Sequence, residues 1–338
     1  LQKRYRGFMP KGYHQLTRDK RCQLYTLMKR GDSIPSIAKE LGVHPSTLYR
    51  ELKRNSGKRG YRYHQANETS EKRRRNASNQ NSKMKPEVIG VIEEKLLLQW
   101  SPVQISGWLK KQVDFVSVSH ETIYKYVWED KRKGGSLYKE FRHKGKKYNR
   151  RGKVTAGRGC IPNRIDIDKR PKIVEEKSRL GDWELDTIIG KNQSGVIVSM
   201  VERRSKLTKL VQLPRRTADA VGQALIDSLT PIKGFVHTLT ADNGKEFAGH
   251  TTVAKLLEAG FYFAKPYHSW ERGLNEHTNG LVRQYFPKTM RFDEITTEKL
   301  MEVEILLNNR PRKILGFSTP QEIFNELSKS TKNQHMNA

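Results

Sequence analysis

Three runs decide the fold: residues 182–190, DWELDTIIG; residues 194–203, SGVIVSMVER; and residues 206–214, KLTKLVQLP. Each is rich in β-branched and apolar residues, and short polar stretches with turn residues separate them, which is the pattern of successive antiparallel strands. After them the texture alternates. TADAVGQALIDSL (217–229) has helical spacing, FVHTLTADNG (235–244) reads as a strand running into a turn, and EFAGHTTVAKLLEAG (246–260) is a second helix. FYFAKPY (261–267) is another short strand, and RGLNEHTNGLVRQYF (272–286) is a third helix. Three antiparallel strands followed by alternating helix and strand predict an α/β domain with a mixed sheet, assigned to residues 173–338 with its C-terminal helices.

That element order is the order of the ribonuclease-H-like nucleases and recombinases. In such a sheet the first and fourth strands are neighbours and the late helix packs beside them. Three acids then fall where they could converge: Asp186 in the first strand, Asp242 at the end of the fourth, and Glu276 on a helix, with 33 residues between the last two. Carboxylates suit Mg²⁺, a hard cation that takes oxygen ligands. Two such ions about 4 Å apart can bind both the attacking and the leaving oxygen of an in-line phosphoryl displacement. Asp186 sits among apolar strand residues, where an unpaired carboxylate is costly and a metal would remove the cost. Asp182 and Glu184 are competing carboxylates on the same strand, Asp242 begins an ordinary Asp-Asn-Gly turn, and Glu276 could be a solvated helix residue. Arg283 lies seven residues after Glu276 on the same helix face and could hold a DNA phosphate. In KPYHSWERG (265–273), His268, Trp270 and Arg272 could stack on or clamp DNA.

Toward the N-terminus the composition becomes strongly basic. The whole chain of 338 residues carries a formal net charge of +29. Residues 1–150 hold 35 Lys and Arg against 14 Asp and Glu, and residues 151–338 hold 30 against 22. The excess points to a polyanionic partner, above all for the first half. No run approaches the roughly 18 apolar residues of a membrane span, and the start, LQKRYRGFMP, has no apolar signal core. The two cysteines, Cys22 and Cys160, are far apart and form no CxxC pair, so a reducing, cytoplasmic setting is expected.

Within residues 1–55, SIAKELGVHPSTLYRELKRN (36–55) has a helix, a break at Gly42, and a second helix opened by Pro45. This is a helix-turn-helix pattern. Its second helix offers Ser46, Thr47, Tyr49, Arg50, Lys53 and Arg54 to the major groove and the phosphates. The alternative is a helical hairpin with a solvated basic face. Residues 56–84 are polar and basic and read as a linker, with a helical spacer around Glu71–Arg75 as the other possibility. Residues 85–130 form a second helical domain: VIGVIEEKLLLQW (88–100), then a helix after Ser101 and Pro102, then a helix capped by Ser119. Its form is again helix-turn-helix, with Ser119, His120, Thr122 and Lys125 exposed, and a dimerisation bundle is the competing reading. Residues 131–172 read as a second basic linker that tracks DNA.

IPNRIDIDKRP (161–171), GDWELDTIIG, TADNGKEF (240–247), YHSWERGLNEHTNGLVRQYFPK (267–288) and LNNRPRKILGFSTPQEIF (307–324) together resemble the bacterial insertion-sequence transposases of the IS30 family. The resemblance runs from the first helix-turn-helix to the closing helices. It implies a retroviral-integrase-like, ribonuclease-H fold, a catalytic and metal-binding triad at Asp186, Asp242 and Glu276, and two Mg²⁺ or Mn²⁺ ions per active site. The first triad position falls on Asp186 because the matching motif has the form Trp-Glu-x-Asp. The implied partners are double-stranded DNA (the terminal inverted repeats of a mobile element, and target DNA) and further copies of the chain, as a dimer or larger assembly on DNA. The implied setting is the cytoplasm, at the nucleoid. His277 departs from the expected pattern, which has Asn after the Glu. A transposase-derived DNA-binding regulator without chemistry is the alternative from another class.

Overall fold

The computed structural model describes residues 16–80, 82–113, 116–142, 161–265 and 273–336. They belong to two compact units, Leu1–Lys85 and Pro86–Ala338. The described residues of the first unit form four helices: α1 (Arg18–Arg30), α2 (Ile34–Glu40), α3 (Pro45–Asn55) and α4 (Tyr63–Gln80). Leu24, Ile37, Ala38 and Leu48, all fully buried, form its core. Gly42 turns the chain between α2 and α3 at φ +62°, a left-handed conformation that glycine adopts without steric cost. α4 departs from the linker expected for residues 56–84. Tyr61 and Ala66 are buried, and Arg21, itself buried, donates to Glu51 (2.7 Å), Asn67 (3.1 Å) and Ser70 (3.0 Å). One arginine thus ties α1, α3 and α4 together. Two core residues and the partners of one buried charge suffice to dock a helix that is otherwise polar.

The second unit begins with α5 (Pro86–Leu97), α6 (Pro102–Leu109) and α7 (His120–Arg132). Ser101 and Gln104 form a capping box at the start of α6, and Ser119 caps α7. This trio shares its unit with the sheet instead of standing as a separate domain. Lys111 Nζ donates to Ser318 Oγ (2.7 Å) and Gln104 Nε2 to the Pro311 carbonyl (2.8 Å). Gly107 lies so close to Phe317 that a Cβ would fall 2.2 Å from its ring. The described parts of the second expected linker are packed as well. Phe141 meets Tyr124 and Trp128 edge-on, Ile161 and Ile167 are buried, and Asp166 bridges to Phe263 at the sheet edge. A few apolar residues in a basic background are enough to fasten such a segment.

After a short helix, α8 (Ile173–Glu176), come β1 (Asp182–Ile189), β2 (Val196–Glu202), β3 (Thr208–Leu213), α9 (Ala218–Leu229), β4 (Thr238–Ala241), α10 (His250–Leu257), β5 (Gly260–Phe263), α11 (Gly273–Tyr285), α12 (Thr297–Asn308) and α13 (Pro320–Met336). The five strands form one sheet in the order β3-β2-β1-β4-β5. β1–β2 and β2–β3 pair antiparallel, and β1–β4 and β4–β5 pair parallel. This is the ribonuclease-H-like arrangement, and it follows the element order read from the sequence. Strand alternation divides the core in two. Trp183, Leu185, Val198, Met200, Leu239 and Phe261 point to the side covered by α9 and α10. Ile188, Ile197 and Leu210 point to the other side, under Leu281, Val282, Val303 and Leu307 of α11 and α12.

Candidate active site and DNA-binding modules

The register fixes the neighbours of Asp186. In the β1–β4 ladder Asp182 is opposite Thr238 and Glu184 is opposite Thr240. Continued by two residues, that pairing sets Asp186 beside Asp242, just past the end of β4 and on the same face. Across the β1–β2 ladder Asp186 is opposite Ser199. α11 packs on β1 and β2, and Asn279 fastens it there. Its amide nitrogen donates to Asp186 Oδ2 (2.7 Å), and its oxygen accepts from Ser199 Oγ (3.0 Å). Glu276 is one turn before Asn279, exposed, on the same side of the helix. Asp186 lies in β1, Asp242 just past the end of β4, and Glu276 on α11, and both β4 and α11 adjoin β1. Among the described residues, no three His, Cys, Asp or Glu side chains stand close enough together to hold a metal ion.

The neighbouring acids are engaged differently. Asp182 is buried, in an ion pair with Arg179 (3.0 Å) and accepting from Thr238 Oγ1 (2.7 Å). Glu184 is buried against Arg203 (2.9 Å). Both are matched by arginine, which offsets the cost of burying the carboxylate. Asp186 accepts instead from an amide side chain and from the Thr187 N–H (2.9 Å). Asp242 accepts from the Gly244 N–H (2.9 Å), the turn expected of Asp-Asn-Gly.

Arg283 does not reach outward as a phosphate clamp. It donates to the Ile189 carbonyl (2.6 Å) and lies over the Phe292 ring (5.1 Å). Burial lowers its pKa. It is a post between α11 and the end of β1, because seven residues along α11 brings it over the sheet, against Ile189 and Phe292. His268, Trp270 and Arg272 lie outside the described residues. The His277 pKa is also lowered, by desolvation and by Arg312, Arg142 and Arg310.

Three features escaped the sequence reading. The bridging role of Asn279 could be signalled only by its spacing of three from Glu276. Glu246 is buried, accepting from Thr187 Oγ1 (2.9 Å) and paired with Arg216 (3.4 Å). Arg310 and Arg312, in a segment remote from the acids in sequence, are buried and act electrostatically on His277; nothing local marks them.

The helix-turn-helix of the first unit presents α3 as expected. Tyr49, Arg50, Lys53 and Arg54 are exposed, and Ser46 and Thr47 are half-buried at its start. The His44 ring accepts from the Ser46 N–H (3.2 Å), and Arg50 donates to Ser46 Oγ (3.0 Å). On α7, Ser119, His120 and Lys125 are exposed and Thr122 is half-buried. No helix among the described residues is long and apolar enough to cross a membrane.

Fold and sites define a class: a helix-turn-helix protein that carries a ribonuclease-H-like domain. Residues 12–55 match a family model described as a helix-turn-helix domain. The chain is 44% identical over 314 residues to the transposase for insertion sequence element IS4351 of Bacteroides fragilis, covering 92% of this chain and 96% of that one. It is 35% identical over 328 residues to transposase InsI for insertion sequence element IS30A of Escherichia coli, covering 91% and 82%. The crystal structure of the catalytic core domain of BIV integrase is 27% identical, covers 45% of this chain and 97% of its own, and has a TM-score of 0.35. The chain belongs to the IS30 family of insertion-sequence transposases.

Proposed function

We propose that this protein is a DNA transposase that binds the terminal inverted repeats of its element and carries out strand cleavage and strand transfer with the carboxylates of Asp186, Asp242 and Glu276. The observation that carries the reading is the register. Extended by two residues, the β1–β4 pairing matches Asp186 to Asp242, and Asn279 ties the helix of Glu276 to Asp186; both support the reading. The donor set is all oxygen, which suits Mg²⁺ or Mn²⁺. Two such ions, when bound, neutralise charge on the attacking and leaving oxygens. Asn279 orients the Asp186 carboxylate, and the pairing of Asp182 and Glu184 with arginines keeps them out of the ligand set. Water is the nucleophile in cleavage, and the freed 3′-hydroxyl of the element end is the nucleophile in joining. Each attacks phosphorus as the P–O bond opposite breaks.

The exposed face of α3 supplies the groove contacts, with Arg50, Lys53 and Arg54 for base edges and phosphates. Ser119, His120 and Lys125 on α7 form a second contact with DNA. Paired element ends call for a dimer or a larger assembly of this chain on DNA. We take residues 1–85 as the end-binding domain and residues 86–338 as the catalytic domain with its own helical module.

The test is a labelled duplex carrying the element end, incubated with target DNA and Mg²⁺ or Mn²⁺. The protein yields joined products, and Asp186→Asn, Asp242→Asn and Glu276→Gln bind the duplex normally and yield none. Joining that persists in any of the three removes that residue from the triad. Binding without cutting or joining by the unaltered protein, under both metals, makes it a DNA-binding regulator instead.

A further inference from the structure

A cleft of about 1390 Å³ in the second unit opens between the α5–α7 module and the sheet domain. It exceeds the about 300–1,000 Å³ of an ordinary small-molecule pocket. Its lining includes ten Lys and Arg against four Asp and Glu. Two of those acids, Glu175 and Glu184, are committed to Arg170 and Arg203. Arg310 and Arg312, also in the lining, are 3% and 8% exposed, with neutral hydrogen-bond partners. Arg310 donates to Gln104 (3.0 Å) and Gln284 (3.1 Å), and Arg312 donates to the Leu307 carbonyl (2.9 Å). Arg312 Nε is buried with no hydrogen-bond partner. Burial beside Arg310 and Arg142 brings the Arg312 pKa down to about 10. Two adjacent buried cations without a carboxylate are costly, and an anion seated in the cleft removes that cost.

Part of the lining is aromatic. Tyr124, Trp128, Tyr138 and Phe141 form it, and Trp128 is 43% exposed. Cations and aromatic side chains lining one cleft are the means by which an unpaired strand is held, since stacking on side chains requires base faces that a duplex keeps covered. The cleft also borders the acids. Gly273, His277 and Thr278 of α11 line it from the stripe next to Glu276, and Glu184 lines it two residues from Asp186 on the same face of β1.

We propose that this cleft binds a single unpaired DNA strand beside the active site, its phosphates on Arg310, Arg312 and Lys313 and a base stacked on Trp128. The inference rests on the transposase reading and deepens it, naming where a strand separated at the element end is held. Lys313 is exposed on the rim and supplies the first phosphate contact.

The experiment uses the full chain and a fluorescein-labelled oligothymidylate of about eight nucleotides, with excess unlabelled element-end duplex present to occupy the helix-turn-helix of the first unit. Trp128→Ala weakens oligothymidylate binding about tenfold, the scale of one lost base stack. Lys313→Glu weakens it too and lowers the slope of log K against log salt by about 0.7 or more, the single-strand value per phosphate contact. Affinity for the element-end duplex is unchanged in both. If Trp128→Ala lowers the melting temperature, Lys313→Glu decides alone. Parent affinity and parent salt slope in the variants overturn the proposal, as does an equal loss for duplex. Strand transfer measured alongside separates the two readings. Joining with cleft-independent oligothymidylate binding sinks the cleft alone, and cleft-dependent binding without joining sinks the transposase reading and leaves the cleft.

Discussion

Asn279→Ala is the most informative single change in the second unit. Asn279 makes two hydrogen bonds across the seam between α11 and the sheet, one to the Asp186 carboxylate (2.7 Å) and one from Ser199 Oγ (3.0 Å). A neutral hydrogen bond contributes about 0.5–1.5 kcal/mol and one to a charged group about 1.5–3 kcal/mol. Both sit at a half-buried position, so the low ends apply and the loss is about 2 kcal/mol. For a unit of this size that lowers Tm by about 4–8 °C. All five tryptophans, Trp100, Trp108, Trp128, Trp183 and Trp270, belong to the second unit, so tryptophan fluorescence during a thermal ramp reports on it alone. The effect on chemistry is larger than on stability. Glu276 sits one turn away on the helix that Asn279 fastens, and a displacement of about 1 Å costs about 10²-fold in rate. Strand transfer by Asn279→Ala therefore falls about a hundredfold while affinity for the element-end duplex stays at the parent value. A variant with Tm within about 1 °C and joining within about twofold of the parent would refute the bridging role of Asn279.

Three further changes test other parts of the fold. Burial, with Lys177 and Arg203 nearby, holds the Lys206 pKa down at about 8 from its usual 10.5. Between those values the unfolded chain binds more protons than the folded one, so stability of the second unit rises with pH across that window. Unfolding free energies at about pH 7.5 and about pH 9.5 should show the rise, and Lys206→Met should abolish it. Glu51→Gln leaves the buried Arg21 without its carboxylate partner. Breaking such a pair costs about 3–5 kcal/mol, read as faster amide exchange at Leu24 and Leu48 and weaker binding to the element end, with the tryptophan-reported Tm unmoved. Gly107→Ala drives a methyl group into Phe317 and costs about 1–3 kcal/mol. The double variant with Phe317→Ala recovers part of that loss, and strict additivity would show that α6 and residue 317 do not touch.

Much of this molecule is legible in the sequence because it is encoded locally. The three β-rich runs, the turn residues between them, and the alternation of helix and strand after them are properties of neighbouring residues, and they specify the sheet order that forms. Gly42 and Pro45 mark the helix-turn-helix for the same reason, as do Ser101 and Ser119 at the helix starts. The basic excess of the first half points to DNA because charge adds up irrespective of fold. What tertiary structure alone decided is which long-range partner each side chain meets. Only the ladder register sorts Asp182 and Glu184, held by Arg179 and Arg203, from Asp186, held by Asn279. Only packing turns Arg283 inward onto Ile189 and Phe292, and makes α4 and the segment around Phe141 parts of their units instead of linkers. Composition measures average polarity, but docking depends on a few well-placed contacts. Tyr61, Ala66, Phe141 and Ile161 are too few to alter the average, yet they are enough to bury a segment once the surface that receives them has folded.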